Sequence, residues 1–281
     1  NYVKHIKKWS CKQVYNSLLK YNKHLNILFS DINLTWLRKY EAWLRTEGIA
    51  ENTIGIRFRT IRAMFNIAIT EKYVNPNCYP FHIFKVSKLH KETAKRALNK
   101  SDIKKITEYK TNDLRLQFAI DIFSFTYLMG GINFVDIASL TKENIIDNRL
   151  LYNRKKTGRL IKLPIQPKAK DLITKYQDSE NPYLFPILKA YHITEQQKSN
   201  RIHKIITKIN KQLKDLGKEL KLPINITTYV ARHSFATVLK RSGVSTSLIS
   251  ESLGHSSEKV TQIYLDSFDN SQMDNAMKCL V

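Results

Sequence analysis

Cysteine is scarce in this chain. Cys11, Cys78 and Cys279 are the only three in 281 residues, too few and too scattered for a disulfide framework or a four-ligand zinc site. Eight glycines and seven prolines exclude collagen-like and low-complexity sequence. No apolar run approaches the roughly 18 residues that a membrane-spanning helix needs, and the first residues lack the apolar core of a secretory signal. There is no Gly-rich phosphate loop, no His-Glu-x-x-His and no Gly-x-Ser-x-Gly, and no acidic cluster of the kind that holds two catalytic metal ions. These absences lead to the expectation of a reduced, soluble, intracellular protein.

Acidic residues are also few beside the basic ones: 24 Asp and Glu against 47 Lys and Arg, a formal charge of +23. Such an excess repels itself within a compact protein unless an anionic partner shares the surface. Nucleic acid is the natural partner, because phosphate neutralisation by Lys and Arg supplies most sequence-independent binding energy. A membrane surface fits less well, since the basic residues are spread along the chain and form no single amphipathic anchor. A merely soluble basic protein is the plain alternative. The 42% hydrophobic and 10% aromatic content excludes a disordered chain, and the length suits about two domains.

Residues 1–84 read as helical. A first helix is expected from Ser10 to Leu28, with Val14, Leu18, Leu19 and Leu25 at helical spacing, and a second from Asp31–Asn33 to Gly48. A third, capped by Asn52 or Thr53, buries Ile54, Phe58, Ile61, Phe65 and Ala68. Its outer side carries Arg59 and Arg62 with Arg57 at the flank, either a solvated basic face or a set of phosphate contacts. Residues 85–95, with Lys85, Lys88, His90, Lys91 and Lys95, read as a basic interdomain linker. A second domain follows over 96–281. It opens with a helix start at Asn99, continues with a buried helix over Leu114–Met129, and then shows strand character over Ile145–Ile165 around a Lys155-Lys-Thr-Gly158 turn. Helices return after Pro167. The expected fold class is mainly α with a small antiparallel sheet of about three strands.

A basic DNA-binding protein without metal carboxylates can still break a phosphodiester through a side-chain nucleophile surrounded by fixed cations. The last third offers such a set. Thr228-Tyr-Val-Ala-Arg-His-Ser-Phe-Ala-Thr237 puts Tyr229 and Arg232 three apart on one helical face. Leu253-Gly-His255 follows as a helix end and turn, then Thr261, with Tyr264 nine residues after the histidine. Upstream lie Gly130-Gly-Ile-Asn-Phe-Val-Asp136 and Lys156 in the hairpin turn.

In these motifs the chain resembles the tyrosine recombinase (phage integrase) family, and most closely the integrases of mobile elements in Bacteroidetes. Those integrases normally carry a further N-terminal arm-binding domain, which this sequence is expected to lack. The resemblance implies a helical core-DNA-binding domain, a linker and an α+β catalytic domain. It implies site-specific recombination of double-stranded DNA by a homotetramer on paired sites in the bacterial cytoplasm, at the nucleoid. No membrane, metal or cofactor is implied, and accessory DNA-bending proteins are possible partners. Carried over by position, Tyr264 is the nucleophile that forms a 3′-phosphotyrosyl link, Arg232 clamps the phosphate, His255 donates to it and Lys156 protonates the leaving 5′-oxygen. Lys155 is the rival for that last role. The tail, with Met273, Ala276, Met277 and Leu280 at helical spacing, is expected to form a helix that docks into a neighbouring protomer or packs on its own domain.

Two positions depart from the family pattern. Asn133 stands where the first arginine is expected, and Tyr229 where the first histidine is. A neutral amide there removes one of two fixed cations, worth about 3–4 kcal/mol in a developing-charge contact. Lys142 and Arg154 are the nearest cations in sequence to replace it, and Asn133 alternatively caps the helix starting at Phe134. A non-catalytic DNA-binding relative and a topoisomerase of the same chemistry are the alternative functions.

Overall fold

The computed structural model describes residues 2–23, 26–91, 97–255 and 257–265, with side chains from residue 10 onward except those of residues 263 and 264. The chain forms two compact units, Asn1–Ala94 and Lys95–Val281.

In the first unit, helices α1 (Tyr2–Asn22), α2 (Leu34–Thr46) and α3 (Glu51–Thr70) enclose an aromatic core. The 4-3-4-3 spacing of Ile54, Phe58, Ile61, Phe65 and Ala68 puts all five on one side of α3, and all five are buried. Asn33 caps α2 by accepting the Trp36 amide at 3.0 Å, and Gly48 (φ +70°) ends the helix in the left-handed region. Tyr40 is fully buried, its hydroxyl 2.6 Å from Ser17 Oγ, and Arg57 donates to the same Ser17 oxygen at 3.0 Å.

Three expectations are corrected here. Helix α1 ends at Asn22, where Lys23 takes φ +60°, and Leu28 and Leu19 are exposed rather than part of a buried stripe; Leu25 lies outside the described residues. Asn52 does not cap α3, whose N-cap is Ala50. Its side chain instead accepts the Lys91 amide (3.0 Å) and donates to the Lys91 carbonyl (2.8 Å), pinning the end of the domain to the start of α3. The basic stretch after residue 85 is therefore not free chain from its first residue: Val86 and Leu89 flank a 3₁₀ turn and are buried in the first unit's core. Two apolar side chains are enough to hold a segment whose lysines, Lys85 and Lys88, remain exposed.

The second unit opens with α4 (Lys100–Thr107), capped by Asn99, and α5 (Leu114–Leu128). Residues 119–126 of α5 are all buried, because α4, α7, α8 and α9 all pack against this helix. Its one buried carboxylate, Asp121, accepts hydrogen bonds from Gln117 Nε2 (2.8 Å), Lys175 Nζ (2.6 Å) and Tyr176 Oη (2.7 Å), so it is fully paired. A short α6 (Phe134–Ile137) leads to an antiparallel sheet in the order β1 (Ile145–Ile146), β2 (Arg149–Asn153), β3 (Leu160–Pro164), with Tyr152 opposite Ile161. The inward-facing Leu150, Tyr152 and Ile161 close the core from one side. Then come α7 (Pro167–Tyr176), α8 (Glu195–Glu219), α9 (Thr228–Arg241), α10 (Thr246–Leu253) and α11 (Glu258–Tyr264). The fold class is mainly α with a small antiparallel sheet. No helix among the described residues is long and apolar enough to cross a membrane. The tail positions Met273, Ala276, Met277 and Leu280 lie outside the described residues.

Candidate active site

Arg232 sits in the first half of α9 and is only 2% exposed. A buried guanidinium needs acceptors for its fixed fork of donors, and main-chain carbonyls provide them. Nη1 donates to Gly131 O at 2.5 Å, and Nη2 donates to Leu253 O at 2.6 Å. Glycine at 131 is required for this approach. Its φ is +65°, and a Cβ there would lie 2.9 Å from Arg232 Cγ and 3.1 Å from Arg232 Cα.

The turn after α10 places the next residue. Gly254 caps α10 in the left-handed conformation (φ +62°), and the His255 amide closes onto Ser250 O at 3.1 Å. This turn buries the His255 ring to 2% exposure, with Nε2 3.1 Å from Arg232 Nη2 and Nδ1 2.8 Å from Thr261 Oγ1 on α11. A guanidinium has donors only, so Nε2 accepts, the proton sits on Nδ1, and Nδ1–H donates to Thr261. Burial, reinforced by Arg232, Arg154, Lys156 and His233, pushes the His255 pKa down to about 3. The ring is neutral.

The hairpin brings more positive charge. Arg154, at the end of β2, is buried and donates through Nη1 to Gly254 O at 2.6 Å, where Thr157 Oγ1 also donates at 3.3 Å. Arg159 Nη1 donates to the His255 carbonyl. Asp136 of α6 accepts the Lys155 amide at 2.9 Å through Oδ1, tying the hairpin turn to the glycine loop, and burial raises its pKa despite the flanking Arg154. The two candidate lysines diverge. Lys156 is exposed and close enough to help depress the His255 pKa. Lys155 interacts with Glu195 and Lys198 of α8, and desolvation lowers its pKa.

Arg232, His255 and Lys156 are thus brought together, with Arg154 added from the hairpin. Asn133 is half-buried and occupies the N-cap position of α6, but its side chain makes no capping bond. Tyr229 and Arg232 do not share one buried face: Tyr229 is 45% exposed and meets His233 edge-on at 4.6 Å between ring centroids. Lys142 is exposed, whereas Arg154 reaches the cluster at Gly254 O. Tyr264 is the last residue of α11, one turn after Thr261, and its side chain lies outside the described atoms. In the first unit Arg59 and Arg62 are exposed, while Arg57 is half-buried against Ser17 and so is not a free member of that face. Of the two cations the sequence offers as replacements, Lys142 and Arg154, only Arg154 reaches the cluster, and Arg159 is a further member that the sequence does not mark; no local pattern singles out either arginine, since their acceptors are carbonyls about a hundred residues away. Among the described residues no group of three His, Cys, Asp or Glu side chains is placed to hold a metal ion.

Residues 2–88 match the phage integrase SAM-like domain, and residues 96–271 match the phage integrase family. The chain belongs to the phage integrase family. Among curated members, it is 25% identical over 279 residues to the tyrosine recombinase XerD of Rickettsia bellii, covering 89% of this chain and 87% of that one. It is 27% identical over 263 residues to XerA of Pyrococcus horikoshii, covering 89% and 82%. A tyrosine recombinase of Thermosipho africanus is 26% identical over 171 residues, and there the match spans 59% of this chain and 55% of the relative. The same fold occurs in the Tn1549 transposon integrase in complex with transposon right end DNA (TM-score 0.71, 16% identity, 97% of this chain and 93% of that one). It also occurs in a lambda integrase dimer bound to a COC′ core site (TM-score 0.61, 16% identity, 92% and 90%).

Proposed function

We propose that this phage integrase family member is a site-specific DNA recombinase that cuts and rejoins double-stranded DNA through a 3′-phosphotyrosyl intermediate. The observation that carries this reading is the buried Arg232–His255 pair, joined through Thr261 to the helix that ends in Tyr264. Cations held rigidly by main-chain carbonyls can stabilise charge on a phosphate without reorganising. In the reaction, Tyr264 Oη gives up its proton to solvent as it bonds to phosphorus, the bond from phosphorus to the 5′-oxygen breaks, that oxygen leaves with a proton from Lys156, and the DNA 3′-phosphate remains on the tyrosine. Arg232 grips the non-bridging oxygens and His255 donates to one of them. Rejoining reverses these steps with little change in bond energy.

Arg154 supplies the second cation that Asn133 lacks. It is buried, donates to the carbonyl of the residue before His255, and acts with Arg232 on Asp136, while Asn133 contributes at most hydrogen bonds and Tyr229 stacks edge-on against His233. The two units, Asn1–Ala94 and Lys95–Val281, act as two DNA-binding parts, with Arg59, Arg62, Lys85 and Lys88 as phosphate contacts. The working assembly is a homotetramer on two DNA sites, its tails exchanged between protomers and accessory DNA-bending proteins assisting. The element it serves belongs with the mobile elements of Bacteroidetes, and it acts at the nucleoid.

A nicked suicide duplex carrying the protein's site tests the reading. A covalent protein–DNA adduct on a denaturing gel is expected for the wild type and not for Tyr264→Phe. Binding without any adduct would favour a non-catalytic DNA-binding relative, to which Asn133 lends its weight. Relaxation of any supercoiled plasmid without site preference would favour a topoisomerase.

A further inference from the structure

Thr261 is used by nothing in the chemistry above, yet its hydroxyl is fully buried and bonded to the working histidine. It lies on α11 three residues before Tyr264, so it shares a helical turn with the proposed nucleophile. Before DNA arrives, the arrangement is fixed by donors. Arg232 Nη2 can only donate, so His255 Nε2 accepts and Nδ1–H points at Thr261 Oγ1. That tautomer is the wrong one for catalysis, because a ring whose Nε2 carries a lone pair cannot donate to a phosphate oxygen.

A phosphate in the site changes the demand. Its oxygens accept from Arg232, Nε2 loses its donor, and a donating Nε2–H becomes the favoured form. Burial of the ring, together with the influence of Arg232, Arg154, Lys156 and His233, opposes a second proton on it. The ring therefore stays neutral and exchanges tautomer: Nδ1 releases one proton to water and Nε2 takes one up. Nδ1 then needs a donor where it had an acceptor. A hydroxyl meets both demands by rotating about a single bond, whereas a carbonyl, an amide N–H or a methyl meets at most one.

We infer that Thr261 is the positioning residue that lets His255 switch from an acceptor facing Arg232 to a donor facing the scissile phosphate, and that it couples this switch to the placement of the helix carrying Tyr264. The inference rests on the proposed contact between His255 and the phosphate.

The test compares Thr261→Val, which keeps the shape and removes the hydroxyl, with Thr261→Ser, which keeps the hydroxyl. Single-turnover cleavage of a suicide duplex is read at saturating DNA, alongside the dissociation constant for an uncleavable duplex and the thermal midpoint. Thr261→Val is expected to lower the cleavage rate roughly 10–100-fold, the effect of removing an orienting partner from a working histidine, with DNA affinity unchanged. Thr261→Ser restores most of the rate. In a His255→Ala background, Thr261→Val is expected to cost nothing further, since a residue acting through His255 has nothing left to act on. Losses that multiply in the double variant would overturn the inference. So would a serine variant as slow as the valine variant when both are folded, or a loss confined to DNA affinity. Full activity of His255→Ala alone would instead refute the role assigned to His255, so the two failures are distinguishable.

Discussion

The two units carry their positive charge in opposite ways. In the second, Arg232 and Arg154 are buried and their guanidinium groups are held by the carbonyls of Gly131, Leu253 and Gly254. In the first, Arg59 and Arg62 stand exposed on α3 and form no ion pair with a described residue. A buried cation is costly to desolvate and needs acceptors for its donors, which the main-chain carbonyls supply here at the Nη atoms. What that arrangement provides is a positive field of fixed direction, which suits a transition state. An exposed arginine keeps its hydration and its rotamers, and suits reversible neutralisation of phosphates along a duplex. Under the proposed function, the buried pair serves the chemistry and the exposed pair the affinity.

Substitutions that separate rate from affinity can break this division. Arg232→Gln is expected to have the largest effect, slowing single-turnover cleavage by about 10³–10⁵-fold, the range for a guanidinium at a phosphoryl transition state, with DNA affinity far less changed. Arg154→Gln should follow, with a loss of about 10²–10³-fold in the same assay. A near-normal rate would mean that Asn133 leaves no gap for it to fill.

Gly131→Ala sharpens the same contrast through the backbone. The added methyl meets Arg232 and the position has positive φ, so unfolding by denaturant should show a loss of about 1–3 kcal/mol. The cleavage rate should fall with it as the guanidinium shifts. The histidine adds a pH dependence of known sign. His255 is held down to about 3 from an ordinary 6.5, so below about pH 6.5 the unfolded chain takes up a proton that the folded one refuses. Stability should therefore decline as pH falls from 6.5 towards 3, by about 2 kcal/mol at pH 5 from this residue alone. In His255→Asn that component of the pH dependence should vanish. The smallest effect belongs to the exposed pair. Arg59→Ala and Arg62→Ala should each reduce the salt dependence of DNA binding by about 0.9 in slope, and leave the cleavage rate at saturating DNA unchanged.

The contrast also explains what could be read from the chain. The helix α3 was legible because one period of apolar residues places five side chains in one core, and strands β2 and β3 because the turn at Lys155–Gly158 separates two β-rich runs. Arg232, His255 and Lys156 were legible as a spaced set. Arg154 was legible only as one of two candidate cations beside Lys142, because a basic residue beside a hairpin turn is ordinarily exposed, and only the fold brings Gly254 O to it. Asn52 looked like a cap for the same reason: its partner, Lys91, is 39 residues away. Val86 and Leu89 are isolated apolar residues in a basic stretch, with no period to reveal that they are buried.

The most direct test of the mechanism is which atom holds the DNA. The adduct from the suicide duplex should be digested with protease and nuclease, and the modified peptide sequenced by mass spectrometry. A nucleotide joined through its 3′-phosphate to Tyr264, and to no other residue, is the result the account predicts. Attachment at another side chain, or cut DNA with no protein attached, would contradict it.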